Sequence, residues 1–331
     1  MPTPRRRRRF FRVALRLIAA LAILIPGWLI TLRATSPWRV VRTYTLDISS
    51  TAAQITDHPR RLRVATYNIA HGRGLAESNW DGSSAERETR LEEIASLLRE
   101  AQLDLVVLNE VDFNCTWSGG VNQAKLIAKE AGFPYIAEQC SYDTGLPLFT
   151  VRFGNAVLSR YPIVRAQLVD FPTYLKWEAM LGGKKRGLLC TLQLSEAESV
   201  RVLAVHLEHR DEATRVGSAR MIIDLAEEQA TPLIVAGDFN STPLGFPLAQ
   251  IDHEGHNALS LLLGSGLFDT DLKNPPSPDD LTFPSDEPYF VIDWVLAPNE
   301  WRTVSRRVVP TDLSDHLPVI VELEFESTRS R

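Results

Sequence analysis

The chain has 331 residues, 44% of them hydrophobic, with 41 acidic and 36 basic residues for a formal charge of −5. Residues 1–16 hold seven arginines and no acid, which leaves 29 basic against 41 acidic residues, a formal charge of −12, for the remainder. A net-acidic body argues against a protein built to track long polyanions, because such proteins usually carry a basic stripe.

The N-terminus combines a polybasic start with an apolar stretch. Residues 17–32 carry no charge, and counting from Val13 the stretch reaches 20 residues interrupted only by Arg16. A soluble helix needs a polar face, which this segment lacks, whereas its length suits a membrane crossing. We predict a basic N-terminus and transmembrane signal anchor over residues 1–32, with a cleaved signal peptide and a twin-arginine signal as alternatives.

The positive-inside rule places the arginines in the cytoplasm and the rest of the chain outside it. The expected location is therefore the membrane, with a single crossing, or the exterior if the signal is cleaved. Residues 33–61 contain Ser, Thr and Pro without a sustained period and predict a linker. A catalytic domain over 62–326 and a C-terminal tail over 327–331 complete the predicted organisation.

The body of the chain is rich in strand-like segments and poor in helices. Helical periodicity predicts three helices, at 84–102, 123–132 and 212–229. Apolar runs predict nine strands, at 62–68, 104–110, 154–160, 187–194, 200–207, 232–238, 289–297, 302–309 and 317–325. This balance predicts an α+β fold of two packed sheets with helices outside, and not a βαβ repeat.

The three cysteines have no CxxC spacing, which argues against a zinc cluster or a thioredoxin-like motif. Cys115 and Cys140 fall in loop-like sequence and either pair outside the cytoplasm or stay free. Cys190 lies within an apolar run and is typical of a buried strand residue.

Polar side chains follow the predicted strands where their apolar runs stop. They are Asn68, Glu110, Asn155, His206, Asp238 with Asn240, Asp293, and Asp315 with His316. Acids, amides and imidazoles are costly inside buried strands, so they must gather at strand ends or pair with one another. If these ends share one rim of a packed sheet, they form an acidic pocket with imidazoles, as a divalent cation and a general acid or base require.

The strongest local signal is GDFNSTP at 237–243, where Asp238 and Asn240 point to the same side of an extended backbone. An acid and an amide side by side can orient a water molecule near a metal. Taken alone, the same pair is also typical of an Asx-turn that ends a strand. The other clusters are likewise weak singly, so the inference rests on their joint presence and order.

Taken together, the segments TYNIAHG, LNEVD, GNAVLSRYP, VHLEH, GDFNSTP, IDWVL and SDHLPV resemble the endonuclease/exonuclease/phosphatase superfamily, in the family's order. That group contains DNase I-like nucleases, abasic-site endonucleases, neutral sphingomyelinases and inositol-polyphosphate phosphatases. The resemblance runs from about Leu62 to Phe325. It implies a four-layered α/β/β/α sandwich and a metal-dependent hydrolase that acts on phosphate esters.

The resemblance also implies a metal site. Glu110 would be the main Mg²⁺ ligand, with Asn68 and Asp315 close by, and Mn²⁺ is the alternative ion. His71 and Arg73 either line this pocket or serve the loop in which they lie.

The family's catalytic roles fall on five further residues. The resemblance implies that Asp238 and Asn240 orient the attacking water and hold the phosphate. Asp293 would hydrogen-bond His316 and fix its tautomer, and that imidazole would bind the phosphate or act as general base. His206 matches the histidine that nucleases and sphingomyelinases use as an acid toward the leaving oxygen. Abasic-site endonucleases use a tyrosine for related work, so His206 argues against that subgroup.

Two residues are predicted to contact the substrate. Asn155 would contact phosphate oxygens, as the resemblance implies. Arg186 could clamp the phosphate, although it also closes a Lys-Lys-Arg run that is typical of a solvated surface.

Three functions follow from these residues. The first is a membrane-anchored Mg²⁺-dependent phosphodiesterase acting on a lipid head group or similar small ester. We expect a monomer, and the sequence gives no evidence for a protein partner. The second is an extracytoplasmic nuclease, for which residues 176–186 offer the basic loop. The third is a non-catalytic binding module, which would lack a ligand or a histidine, whereas each mapped position is filled.

Overall fold

The computed structural model describes residues 4–35, 41–48, 60–146, 149–181, 183–272 and 275–325. The chain divides into a unit that ends at Arg39 and a larger unit that begins at Val40. In the first unit, helix α1 runs over Pro4–Thr35. Its segment Arg9–Trp28 is long and apolar enough to cross a membrane, a test that an N-terminal signal sequence would also pass.

The larger unit contains two β-sheets and five α-helices within the described residues. The strands are β1 (Val41–Thr45), β2 (Arg61–Asn68), β3 (Leu105–Asp112), β4 (Tyr135–Leu146), β5 (Phe149–Ser159), β6 (Ile163–Asp170), β7 (Arg186–Gln193), β8 (Ser199–His206), β9 (Leu233–Asp238), β10 (Phe268–Asp269), β11 (Asp293–Pro298), β12 (Arg302–Val308) and β13 (Val319–Glu324). The helices are α2 (Ser84–Glu100), α3 (Gln123–Ala131), α4 (Lys176–Leu181), α5 (Glu212–Glu227) and α6 (Ala258–Gly264).

The sheets stack face to face. One has the strand order β1-β4-β5-β3-β2-β13-β12, and the other has the order β10-β11-β9-β8-β7-β6. Val64 and Val107 of the first sheet share a buried core with Leu188, Val202 and Ile234 of the second. The outer face of the first sheet packs against α2 and α3, and that of the second against α5 and α6. The α/β/β/α sandwich predicted from the sequence is therefore confirmed.

Helix α2 illustrates how the sequence sets the outer layer. Ser83 accepts a hydrogen bond from the backbone of Glu86, whose side chain accepts one from the Ser83 backbone, which forms a capping box. Leu91, Ile94 and Leu98 follow at helical spacing and are buried against the first sheet. These contacts fix α2 next to the loop that carries His71.

The segment predicted as a linker contains a strand. Val41–Thr45 forms β1, which pairs antiparallel with β4, from Val41 opposite Gln139 to Thr45 opposite Tyr135. Alternate side chains point to opposite faces, so Val41 packs on the core between the sheets and Tyr44 on the outer face. Five residues are too few for this alternation to stand out in the sequence, and the strand is stabilised by the sheet edge it joins.

Strand ends with polar residues meet at one rim of the stacked sheets. In the first sheet, Asn68 at the end of β2 pairs with Asn109 near the end of the parallel strand β3, which ends at Asp112. In the second, Asp238 at the end of β9 pairs with His206 of β8 on one side and with Asp293 of β11 on the other. The expectation that these strand ends share a rim is borne out by the strand register.

Candidate active site

Asn109 joins the two sheets directly beneath the site. Its amide nitrogen donates to the carbonyl of Val205 at 2.8 Å, and its oxygen accepts from the backbone nitrogen of Asp238 at 2.9 Å. The same nitrogen donates to Asn155 Oδ1 at 2.9 Å. Because Asn109 is fully buried, these bonds set the position of Asp238 relative to the first sheet.

Asn155 lies behind this bridge and not at the pocket. It is 0% exposed, and its amide nitrogen donates to Gln139 Oε1 at 3.0 Å and to the carbonyl of Arg186 at 2.9 Å. The predicted contact between Asn155 and the substrate phosphate is therefore not part of this arrangement. Its described contacts give it a role in positioning Asn109.

His316 is held by Asp293. Nδ1 of His316 lies 2.9 Å from Asp293 Oδ2, the contact that the sequence predicts, and both residues are buried. Nε2 faces the site, 3.4 Å from Asn68 Nδ2 and 3.9 Å from Asp238 Oδ2. Burial alone would lower the pKa of His316, but the charge and hydrogen bond of Asp293 outweigh it and raise that pKa to about 10. The imidazole is thus a cation at neutral pH.

Asp238 lies between two imidazoles. Its Oδ2 accepts from Asn68 Nδ2 at 3.2 Å and lies 3.6 Å from His206 Nε2, while Oδ1 accepts from the backbone of Asn240 at 2.9 Å. Burial raises the pKa of Asp238 to about 6, against the opposing charge of His316. A carboxylate with this pKa is ionised at pH 7 and is a stronger base than an exposed aspartate.

The GDFNSTP turn fixes the backbone after β9. Gly237 has φ 146°, and a Cβ there would collide with the carbonyl of Val205 on the neighbouring strand, so glycine is required. Asn240 has φ 49° and donates from its amide to the carbonyl of Leu207 at 3.2 Å. The turn thereby ties β9 to the exit of β8.

Glu110 points into the pocket because β3 is irregular there. The pairing of β3 with β5 shifts register between Leu108 and Val111, and Glu110 has φ 51°, which is costly for a residue other than glycine. Its side chain is 24% exposed and lies 3.3 Å from His71 Nε2 and 3.9 Å from His206 Nε2. Burial opposes ionisation, but the neighbouring imidazoles and Lys185 hold the pKa of Glu110 below its ordinary value.

His71 connects Glu110 to a second buried acid. Its Nδ1 lies 2.7 Å from Asp112 Oδ1, and Asp112 Oδ2 accepts from Trp117 Nε1 at 2.6 Å. The sequence left the role of His71 open between pocket and loop. The structure shows a chain of contacts from Asp112 through His71 to Glu110, which restrains the Glu110 carboxylate from behind.

Arg73 bridges the two carboxylates predicted to bind metal. Its guanidinium lies 2.5 Å from Asp315 Oδ2 and 3.5 Å from Glu110 Oε2. These two acids, which come from distant parts of the chain, can therefore share one cation. Carboxylate oxygens are hard donors, so the two acids fit a divalent ion such as Mg²⁺. The amide oxygen of Asn68 accepts from the backbone nitrogen of Ala70 at 3.1 Å, and its amide nitrogen donates to Asp238. A second group, Asp238 with Asp293 and His316, has the spacing for an ion, but Asp293 and His316 already bond each other.

Lys185, which sequence reasoning missed, lies where Arg186 was expected. Lys185 Nζ is 2.6 Å from His206 Nε2. Arg186 instead donates to Asp170 Oδ1 at 3.2 Å and to the carbonyl of Cys140 at 3.1 Å, away from the imidazoles. Burial and the adjacent Lys185 hold the pKa of His206 well below its ordinary value, so this imidazole is neutral at pH 7.

The cysteines Cys115, Cys140 and Cys190 are buried free thiols. The open question of a Cys115–Cys140 pair is thus resolved in favour of free thiols. Burial raises the pKa of Cys140 to about 12, which leaves it without nucleophilic character at neutral pH.

Comparison with known proteins gives a family and a shared fold. The model of the endonuclease/exonuclease/phosphatase family matches residues 65–316. An endonuclease/exonuclease/phosphatase from Beutenbergia cavernae superposes with a TM-score of 0.57 at 21% identity, covering 81% of this chain and 72% of that one. The human nocturnin catalytic domain superposes with a TM-score of 0.59 at 17% identity, covering 86% of this chain and 97% of that one. Sphingomyelinase C from Streptomyces griseocarneus superposes with a TM-score of 0.52 at 22% identity, covering 80% of this chain and 99% of that one. No curated protein sequence matches.

Proposed function

This chain belongs to the endonuclease/exonuclease/phosphatase family, and we propose that it is a membrane-anchored, Mg²⁺-dependent phosphodiesterase with a lipid-like substrate. The family's members are hydrolases of phosphodiester bonds. The observation that supports the proposal most directly is the position of Asp238 between two imidazoles, the neutral one of His206 and the protonated one of His316. His206 Nε2 lies 3.6 Å from its carboxylate and His316 Nε2 lies 3.9 Å from it, at the same rim as Glu110.

Glu110, Asp315 and Asn68 would hold the metal, with Mn²⁺ as the alternative ion. The bridging position of Arg73 supports this assignment, because a single cation already reaches both carboxylates. A bound Mg²⁺ would supply Lewis acidity that polarises a phosphoryl oxygen.

Asp238 accepts a proton from the attacking water. Its raised pKa of about 6 keeps it ionised at neutral pH and still basic enough for this step. Asn68 and Asn240 restrain the two oxygens of the carboxylate, through the amide of the first and the backbone of the second. The protonated His316, fixed by Asp293, binds a phosphate oxygen as a cation, and this protonation state disfavours the alternative in which His316 is the general base.

His206 and Lys185 serve the leaving oxygen. A neutral imidazole is a poor acid by itself, but Lys185 lies within hydrogen-bond distance of its Nε2 and carries the proton that the pair needs. The leaving oxygen receives that proton as its bond to phosphorus breaks, while the water oxygen forms the new bond. Asn155 and Arg186 support the site from behind through Asn109 and Asp170.

A direct test uses the full chain in lipid nanodiscs with bis-p-nitrophenyl phosphate. Turnover is expected with Mg²⁺ or Mn²⁺ and is expected to vanish in EDTA. Undiminished turnover in EDTA would rule out the metal-dependent mechanism, and absence of turnover with either ion would rule out the phosphodiesterase.

A lipid-like substrate is favoured over nucleic acid by the charge near the site. Two basic residues near the end of segment 176–186 are paired with the same acid. Lys184 lies 3.0 Å from Asp170, and Arg186 lies 3.2 Å from it. These partners neutralise part of the charge that a nuclease would use to track a backbone. Turnover on phospholipid vesicles and on plasmid should be compared across a salt series. Efficient plasmid cleavage that falls steeply with salt would favour the nuclease.

Membrane anchoring is proposed from the first unit of the chain. The candidate span Arg9–Trp28 begins at the last of the consecutive arginines at 5–9, a run that the positive-inside rule assigns to the cytoplasm. The catalytic domain would then lie outside the cytoplasm. A reporter that is active only outside the cytoplasm, fused after Arg331, should be active, and protease added to cells with a permeable envelope should release the domain. A cytoplasmic reporter signal would overturn this topology.

A further inference from the structure

Five aromatic side chains form a continuous row beside the candidate active site. Tyr142 and Phe153 face each other across β4 and β5 with parallel rings 5.6 Å apart. Phe153 lies 6.0 Å from Trp117, Trp117 lies 6.1 Å from Trp80, and Trp80 stacks on Phe149 at 6.1 Å. The row ends at the surface, where Trp80 is 61% exposed, and none of the five rings is fully buried. A core cluster would instead exclude water from most of its rings.

The row begins in a cavity that contains catalytic groups. This cavity has a volume of about 170 Å³, and Tyr142 and Phe153 form one of its walls. Glu110, Lys185 and His206 line the same cavity. A polar end with the catalytic groups is thus continuous with an aromatic wall that leads to the surface.

Lys185 is the cation of this cavity that is left for an anionic ligand. Lys184 pairs with Asp170 at 3.0 Å, and Arg210, which also lines the cavity, pairs with Glu208 at 2.9 Å. Among the described residues, Lys185 forms no ion pair with a carboxylate within 4.0 Å, and its Nζ lies 2.6 Å from His206 Nε2. The carboxylates of Glu110 and Asp238 act on Lys185 only through space, and a phosphate group at the polar end would give it a direct ion pair.

We propose that the cavity and the aromatic row bind an amphiphilic phosphodiester. The phosphate lies at the end with Lys185 and Glu110, and an apolar chain esterified to it runs along the rings from Tyr142 toward Trp80. This inference deepens the proposed phosphodiesterase activity and rests on it for the location of the phosphate. The aromatic rings provide apolar surface that stays partly wet in the free protein, so covering it with an alkyl chain increases affinity.

Binding of two diesters separates the two ends of this site. The full chain in nanodiscs is titrated calorimetrically, in EDTA, with dimethyl phosphate and with hexyl methyl phosphate, and empty nanodiscs correct for partitioning of the hexyl compound. The hexyl diester should bind at least tenfold more tightly than the dimethyl diester. Equal affinities, or no measurable binding of the hexyl diester, would overturn the proposal.

Variants assign the preference to the row. Tyr142→Ala should reduce the hexyl preference to about twofold or less, because Tyr142 lines the cavity within reach of a six-carbon chain, whereas Tyr142→Phe, which keeps a ring, should retain most of it. Ile251→Ala is a matched control, because Ile251 is 58% exposed on another loop, and it should leave the preference unchanged. Lys185→Met should weaken both diesters by a similar factor. A Tyr142→Ala variant with the wild-type preference would contradict the assignment.

Turnover distinguishes this inference from the proposed function. With Mg²⁺, hexyl p-nitrophenyl phosphate should show a lower KM than methyl p-nitrophenyl phosphate, since the two share a leaving group. Tight binding of the hexyl diester without any turnover would leave the amphiphile site standing and refute the phosphodiesterase. Turnover of both esters with equal KM would support the phosphodiesterase and refute the amphiphile site.

Discussion

Arg73 pairs with Asp315 at 2.5 Å, and its guanidinium also reaches Glu110 at 3.5 Å. The two acids predicted to bind metal are therefore already shared by a cation that belongs to the protein. A guanidinium and a divalent ion would compete for the same carboxylate oxygens, so we expect Arg73 to weaken metal binding. When an anionic substrate enters, Arg73 gains another partner, and by linkage substrate and metal should favour each other's binding.

Arg73→Gln should bind Mg²⁺ more tightly, because the ion no longer has to displace the guanidinium from the two carboxylates. We expect a change of roughly tenfold, which corresponds to about 1.4 kcal/mol for the loss of these partly exposed ion pairs. Isothermal titration of the metal measures this directly. The exposed Arg165→Gln serves as the charge-matched control and should leave the affinity unchanged. Weaker Mg²⁺ binding by Arg73→Gln would show that Arg73 supports the metal site and does not compete with it.

Glu110→Gln should reduce turnover at least about 10²-fold, since it removes a charged oxygen ligand and an electrostatic contribution to the transition state. The amide has the same shape, so the thermal unfolding temperature should change little. Circular dichroism and a melting curve verify the fold beside the activity assay. Wild-type turnover in this variant would remove Glu110 from the metal site.

Asp293→Asn should lower the pKa of His316, because the carboxylate both charges and hydrogen-bonds that imidazole. An NMR titration of the His316 ring should give a pKa well below 10 in this variant. Turnover should fall by about 10²–10⁴. Asp279→Asn, on an exposed turn, is the control. An unchanged His316 titration would mean that another group holds the proton.

His206→Ala should affect poor leaving groups more than good ones, because only a poor leaving group needs a proton as its bond breaks. We expect a loss of about 10² on an alkyl diester and less than about tenfold on a nitrophenyl ester, from the usual range for acid catalysis. Steady-state rates on the two substrates give the comparison. Equal losses on both would exclude His206 from proton donation.

The pH profile should rise through about pH 6. Burial raises the pKa of Asp238 to about 6, and Asp238 accepts the water proton only when ionised, so activity is lost as the pH falls through that value. Plots of kcat/KM against pH between 5 and 8 test this, with metal saturating at each point. A profile that is flat down to pH 5 would place the catalytic base elsewhere.

The gathering of the site could be predicted from the sequence because its residues end apolar runs. Asn68, His206 and Asp238 are polar groups that are costly inside a buried strand unless they find partners, so their positions after apolar runs indicated strand ends. The Asp293–His316 contact followed from the family resemblance. The fold followed from the same strand and helix periods, and helix α2 begins at Ser84, the first residue of the predicted helix.

Other parts of the molecule depend on contacts that a sequence pattern does not contain. Arg73 and Lys185 lie in irregular segments, and only the folded chain places them at Asp315 and His206. Strand β4 was missed because it holds buried polar residues, such as Glu138, which accepts a hydrogen bond from Asn122 at 2.7 Å. Such satisfied polar pairs hide a strand from any count of apolar residues.

The pairing of β1 with β4 has a consequence for solubility. Val41–Thr45 covers the outer edge of β4, and Leu46 adds a further hydrogen bond to the carbonyl of Pro134 at 2.8 Å. A fragment that begins at residue 62 would uncover this edge and offer unpaired backbone groups to strands of other molecules, a common route to aggregation. A cut before Val41 would keep the edge covered, so a soluble fragment of the domain should begin on the N-terminal side of β1.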